Sequence, residues 1–168
     1  MSEIPPGSIY PQEIQKVMAA ANKAGISYQI RHFDSPGKTA QQAADLLGCP
    51  LGAIVKSVVF QMQETGEMLL VLVSGQNRAD LDLLSDLFGE PVKAASPADV
   101  LAWSGFRVGA VPPFGIDGDY PVLMDDDLFG FDQVWASGGS DFDLMGLTPA
   151  GLWAVSGAEV KTIKKVES

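Results

Sequence analysis

The stretch from Ile54 to Val73 constrains the folding of this chain more than any other. Ile54-Val-Lys-Ser-Val-Val-Phe60 is β-branched and nearly continuous, which suits a pleated strand better than a helix. Glu64-Thr-Gly-Glu67 supplies a turn and Met68 to Val73 the returning strand, so the segment predicts a β-hairpin. One residue is out of place in it. Lys56 is the only charged side chain between Leu51 and Gln63. An ammonium is almost never fully buried without a partner, because removing it from water is expensive. A period of two puts Lys56 on one strand face with Ile54, Val58 and Phe60. Two readings stand at this point: a packed stem whose head reaches water, or a functional cation.

The rest of the chain alternates helix and strand signals. A helix is predicted from Pro11 to Ala24, with Ile14, Val17, Met18 and Ala21 at helical spacing and Gly25 as its stop. Ile26 to Phe33 alternates like a half-buried strand, with Ile26, Tyr28, Ile30 and His32 on one side. Thr39 and Gln42 form a capping-box pattern for a short helix closed by Gly48. Asp80 and Ser96-Pro97 open two further helices that end at Gly89 and Gly105. Gly105 to Gly118 is a loop held to a fixed path by glycine and proline. Tyr120 to Met124 and Val134 to Ser137 read as short strands, Thr148-Pro149 as a last helix start, and Val160 to Val166 as an edge strand. The chain shows no repeat and no linker, so residues 1–168 are expected to form one mixed α+β domain.

Composition bounds the function classes. An apolar fraction of 46% fits a packed globule. No run approaches the ~18 apolar residues that span a bilayer, and Met1 to Tyr10 lacks the pattern of a signal peptide; a cytoplasmic location is the expectation. The single cysteine, Cys49, rules out an internal disulfide and a multi-cysteine zinc cluster. A formal charge of −10 opposes broad binding to DNA or to any duplex, while contact with a short nucleic-acid terminus needs only a few cations.

The familiar catalytic sets are missing. There is no Gly-x-Ser-x-Gly elbow and no phosphate-binding loop. The lone histidine, His32, is expected to be a core or pocket-wall residue, and Cys49 a small buried one. Eight aspartates fall between Asp117 and Asp143, including Asp125-Asp126-Asp127, but their spacing fails the calcium-loop pattern. They are expected to be solvated loop carboxylates. The second distinctive segment is Ser104-Gly-Phe-Arg-Val-Gly-Ala-Val-Pro-Pro-Phe-Gly115, where Gly109 and Pro113 have the spacing Gly-x3-Pro. Glycine permits close approach to backbone amides and proline stiffens the loop, so with Lys56 opposite it could bind an oxygen that gains negative charge. The segment alone fits an ordinary stiffened turn equally well.

Taken in order, Thr39 to Gly48, Ile54 to Phe60, Ser74 to Asp80, Gly105 to Gly115 and Ser137-Gly-Gly139 resemble the YbaK/ProX superfamily, the free-standing relatives of the bacterial prolyl-tRNA synthetase editing domain. The resemblance implies a twisted, mixed, barrel-like sheet surrounded by helices. It implies hydrolysis of the ester that joins a mischarged small amino acid to tRNA, without metal or other cofactor and without a protein nucleophile. Lys56 would orient the substrate. Amides around Gly109 and Ala110 would bind acyl or ribose oxygens, with Pro113 fixing that loop. Ser137, Gly138 and Asp143 would lie in the pocket and Phe33 would form an aromatic wall. The implied partner is the tRNA acceptor end, with a synthetase or an elongation factor as candidate proteins. A non-catalytic YbaK-like module that holds an acylated tRNA end or a protein partner remains the alternative.

Overall fold

The computed structural model describes residues 2–3 and 12–166. Its elements are β1 (Ser2–Glu3), α1 (Gln12–Ala24), β2 (Gln29–His32), α2 (Ala40–Leu47), β3 (Val55–Met62), β4 (Met68–Ser74), α3 (Leu81–Phe88), β5 (Val92–Ala94), α4 (Pro97–Ser104), β6 (Val122–Asp125), β7 (Val134–Ser140), β8 (Asp143–Leu147), α5 (Pro149–Ser156) and β9 (Glu159–Lys161). Pro11, expected in the first helical turn, lies outside the described residues. The hairpin forms as expected: β3 and β4 pair antiparallel from Val55↔Ser74 to Gln61↔Met68. Thr39 caps α2 in a complete capping box, and Asp80, Ser96 and Thr148 cap α3, α4 and α5.

The strands form two open sheets, ordered β1-β2-β8-β7 and β5-β3-β4-β6-β9. The first is antiparallel throughout. In the second, β6 runs parallel to β4, and β9 parallel to β6. The barrel-like sheet expected from the sequence is therefore corrected to two sheets that meet through a single parallel bridge, Ile54↔Trp135. At its far end, Phe60 to Met62, the same β3 edge pairs with β5.

The hairpin is covered on both faces, which explains its unbroken apolar run. Val55, Val59, Leu70 and Leu72 join the main core with α1, β7, β8 and the loop residues Phe114 and Ile116. Phe60, Met62, Leu69, Val71 and Val73 pack on the other side with Leu84 and Ile163. Every residue from Leu69 to Leu72 is 0% exposed, and each such side chain contributes about 1.5–3 kcal/mol by its burial.

Two predicted strands shrink and two strands form where none was predicted; the edge strand expected over Val160 to Val166 is Glu159–Lys161. The strand predicted over Ile26 to Phe33 is confined to Gln29–His32, because the Ile26 N–H still closes α1 onto Ala21 O. The short strand β5 and the central strand β8 carry no clear signal in the sequence: β5 has three residues, and β8 lacks a polar–apolar alternation because all five of its residues are buried.

Gly75 follows β4 and donates to Ile54 O at 2.7 Å. A methyl group there would sit 2.4 Å from the backbone carbonyl oxygen of Leu51, which cannot rotate away. Gly75→Ala is expected to lower stability by about 2–3 kcal/mol, read as a lower urea midpoint at unchanged slope.

Candidate functional site

Among the described residues the edge of β3 is unpaired between two fixed points. The bridge Ile54↔Trp135 holds one end, and a hydrogen bond from Ala95 N–H to Val59 O holds the other at 3.0 Å. A cavity of about 450 Å³ lies along this gap. Its walls are apolar, drawn from Ile54, Val55, Val59, Val100, Val111, Trp135 and Leu144, and its polar groups come from Lys38, Lys56, Ser57, Gly109, Ser137 and Ser140.

Lys56 is half-buried, and its ammonium donates to the backbone carbonyl of Asn77. That carbonyl is itself anchored. Asn77 Nδ2 donates to Asp125 Oδ2 at 2.9 Å and to Asp127 Oδ2 at 2.8 Å. Asp125 also accepts the Ser74 N–H and the Asp127 N–H, both at 3.0 Å, and is 0% exposed. The reading of the aspartate run as solvated is thus corrected for Asp125, which is a buried hub of backbone and side-chain donors. Burial pushes the Lys56 pKa down, and the nearby Arg78 charge lowers it further, against the opposing pull of Asp125.

Gly109 takes a left-handed conformation, φ 90°, where a methyl would stand 3.3 Å from Lys38 O. It lines the cavity, and its N–H has no partner among the described residues. The amide of Ala110 is different. It donates to Arg107 O at 2.9 Å, which closes a turn, so the oxygen-binding role expected of it is corrected: within this pair only Gly109 has a free donor. The Ala110 carbonyl instead accepts the Ser137 hydroxyl at 2.8 Å. Ser137 Oγ also accepts the Gly139 N–H at 3.1 Å, which fixes this cavity hydroxyl in place.

The remaining predicted residues stand behind the wall. Asp143 is buried at the start of β8, accepts the Ser140 hydroxyl at 2.5 Å and lies 2.8 Å from His32 Nδ1. Only Ser140 of this trio faces the cavity. A methyl on Gly138 would come 3.3 Å from Asp143 O, so the small residue lets these strands approach. Phe33 is buried against Ile54, Trp135 and Leu144, and Pro113 is buried in its loop; neither lines the cavity. His32 is not an apolar-face residue as expected: its side chain is 43% exposed and bound to Asp143. Cys49 is half-buried, with its thiol pKa raised by burial, which disfavours the nucleophilic thiolate.

Lys56, Gly109 and Ser137 therefore converge on the cavity, joined by Lys38, Ser57 and Ser140, which sequence reasoning missed. Ser57 Oγ is buried on the cavity wall with no hydrogen-bond partner among the described residues. Such hydroxyls are uncommon in folded proteins. Its one signal in the sequence is its place next to Lys56.

Residues 34–154 match the family described as aminoacyl-tRNA editing domain. The chain is 31% identical over 131 residues to the uncharacterized protein YwhH of Bacillus subtilis (strain 168), spanning 78% of this chain and 83% of YwhH. It is 28% identical over 138 residues to the multifunctional Ser/Thr-tRNA deacylase ProXp-y of Escherichia coli (strain K12), 80% of each chain. A solved structure of a protein proposed as a trans-editing enzyme for prolyl tRNA synthetase superposes with a TM-score of 0.86 at 36% identity. That match covers 94% of this chain and 100% of the other.

The Lys56 environment sets a pH response. Its amine is expected to titrate below the ordinary lysine value of 10.5, read by NMR of the lysine side-chain nitrogens. Arg78→Ala should move the midpoint up and Asp125→Asn should move it further down. The sign for stability follows: folding disfavours the charged form, so the resulting penalty is full below the lowered midpoint and fades as pH rises toward the ordinary value.

Proposed function

This chain belongs to the aminoacyl-tRNA editing domain family, and we propose that it is a trans-editing deacylase that hydrolyses the ester of a mischarged small amino acid on tRNA. The observation that carries this reading is that Lys56 and Gly109, whose amide has no partner among the described residues, line one apolar-walled cavity. An ammonium has three donors, and the bond to Asn77 O uses one of them. The other two are not used by any bond among the described residues and would serve an oxygen that gains charge in the cavity that Lys56 lines.

Water, or the ribose hydroxyl next to the ester, adds to the acyl carbon. Negative charge then develops on the carbonyl oxygen, where Gly109 N–H and Lys56 stabilise it. The carbon–oxygen bond to the ribose breaks and the ribose oxygen takes a proton. With water as the nucleophile, a free amino acid and an uncharged tRNA leave. Attack by the ribose hydroxyl first moves the acyl group to that oxygen, and water must then complete hydrolysis. An ester is already reactive, so positioning and oxyanion stabilisation supply much of the acceleration.

A separate pocket of this kind acts as a second sieve. A synthetase gains only about 1–3 kcal/mol of discrimination from one methylene, so a smaller or near-isosteric amino acid escapes its first selection. Here the apolar walls from Val100, Val111 and Leu144 would set the size limit. Such an enzyme works where aminoacyl-tRNA is made and used, so its expected surroundings are the cytoplasm, synthetases and elongation factor.

A panel of tRNAs mischarged with alanine, serine, threonine or cysteine tests the reading. At least one is expected to be deacylated well above the spontaneous rate at micromolar protein, with Lys56→Ala lowering kcat/KM by roughly 10²–10³-fold. Cleavage of none would leave a non-catalytic holder of the acylated end as the surviving account. Full activity in Lys56→Ala would remove Lys56 from the mechanism.

A further inference from the structure

Beside the candidate site lies a second, shallower cavity of about 300 Å³, lined by Arg78, Ala79, Asp80, Leu81, Asp82 and Lys165. The backbone ties it directly to Lys56. The Lys56 ammonium is bound to the carbonyl of Asn77, whose next neighbour is Arg78. Lys165 N–H donates to Arg78 O at 2.7 Å, and Ala79 bridges Lys164 in antiparallel pairing. The same Asp125 and Asp127 carboxylates that anchor Asn77 hold this corner, with Lys164 Nζ 3.0 Å from Asp127.

The charges of this corner matter in so acidic a chain. Lys16, Arg107, Lys161 and Lys164 are each neutralised by a carboxylate. Arg78 and Lys165, like Lys23, Lys38 and Lys93, have no ion pair among the described residues, and these two line one cavity in a chain of net charge −10. Two such cations on one anchored corner, next to the site, favour a phosphate group. Asp80 and Asp82 in the same cavity oppose a bare anion but suit a nucleotide. Asp80 Oδ1 is occupied by the amides that begin α3, at 3.0 and 3.3 Å, and its other oxygen is available. Carboxylates accept from exocyclic base amines and ribose hydroxyls, while Leu81, 42% exposed, offers an apolar surface to a base face.

We propose that this cavity is a subsite for the nucleotide preceding the acylated one at the single-stranded tRNA 3′ end, with Arg78 and Lys165 on its phosphodiester and Asp80 and Asp82 on its base or ribose. The inference rests on the deacylase reading and deepens it. Guanidinium and ammonium groups divide the work in the usual way, the planar fork bridging two phosphate oxygens and the ammonium acting as a point charge. Duplex contact is not needed, which reconciles an acidic chain with an RNA substrate.

The test compares two substrates carrying the same amino acid: aminoacyl-adenosine, which lacks a phosphodiester, and a 3′-aminoacylated CCA trinucleotide. The longer substrate is expected to show a KM roughly tenfold lower with the wild-type protein, and Arg78→Gln/Lys165→Gln should remove most of that gain. The double variant should also flatten the log–log salt dependence of KM, by about 0.7 for each phosphate that is no longer neutralised. Lys165→Glu, at an exposed position, provides a second variant if the double change disturbs folding. A wild-type protein that gains nothing from the added nucleotides, or variants that keep the gain, would overturn the subsite. Anisotropy of a fluorescein-labelled, unacylated CCA trinucleotide separates the two proposals. Binding by wild type but not by the variants, without ester cleavage, retains the subsite and rejects the deacylase; binding by neither rejects the subsite.

Discussion

A carboxylate with no exposure to water holds the candidate site together. Asp125 ends β6, accepts from Ser74 N–H, Asn77 Nδ2 and Asp127 N–H, and so fixes the chain between β4 and α3. Each of those donors would be left unsatisfied without it, at about 1–3 kcal/mol apiece where buried. The loop then presents the Asn77 carbonyl to Lys56. A cation that would otherwise have to reach bulk water has a partner inside the protein, and its position becomes a property of the fold. The buried acid thus sets the position of the base-like residue it does not touch.

The second constraint is an omission. β3 is a central strand, yet one stretch of its edge has no strand beside it among the described residues: β7 bridges only Ile54, just before it, and β5 reaches only Phe60 to Met62. A closed barrel would have filled that gap with ladder hydrogen bonds. Leaving it open gives a chamber with β3 along one wall, lined by its residues Val55 to Val59, Lys56 among them. The same residues that make the hairpin stable therefore supply the site, with no separate loop needed for the cation.

Local events are readable in this sequence and long-range ones are obscure. The capping box at Thr39, the helix stops at Gly48, Gly89 and Gly105, and the β3–β4 hairpin all depend on neighbours within a few residues, and they form where the sequence indicates. Lys56 stands out because a charge in an apolar run needs an explanation. The partners of that charge do not. Asp125 and Asn77 are 48 residues apart, and an aspartate in a run of three looks like solvent-facing loop until the strand before it is placed. His32 misleads for the same reason: its partner begins β8, a strand whose uniform burial erases the alternation that would have revealed it. The Ala110 amide looks free in the sequence because a turn hydrogen bond to Arg107 depends on backbone angles that residue types only suggest.

The close approach of Gly109 to Lys38 O has a wider meaning for how such a pocket can diverge. Two backbones come close there, Gly109 and the Lys38 carbonyl just before α2, which leaves little room for a side chain at position 109. The chamber walls are of another kind: Val100, Val111 and Leu144 are side chains on separate elements, and each can grow or shrink alone. The architecture divides into a part that is inherited intact and a part that is free to drift. Selectivity for the acyl group can then be rewritten one wall residue at a time while the reacting centre keeps its geometry.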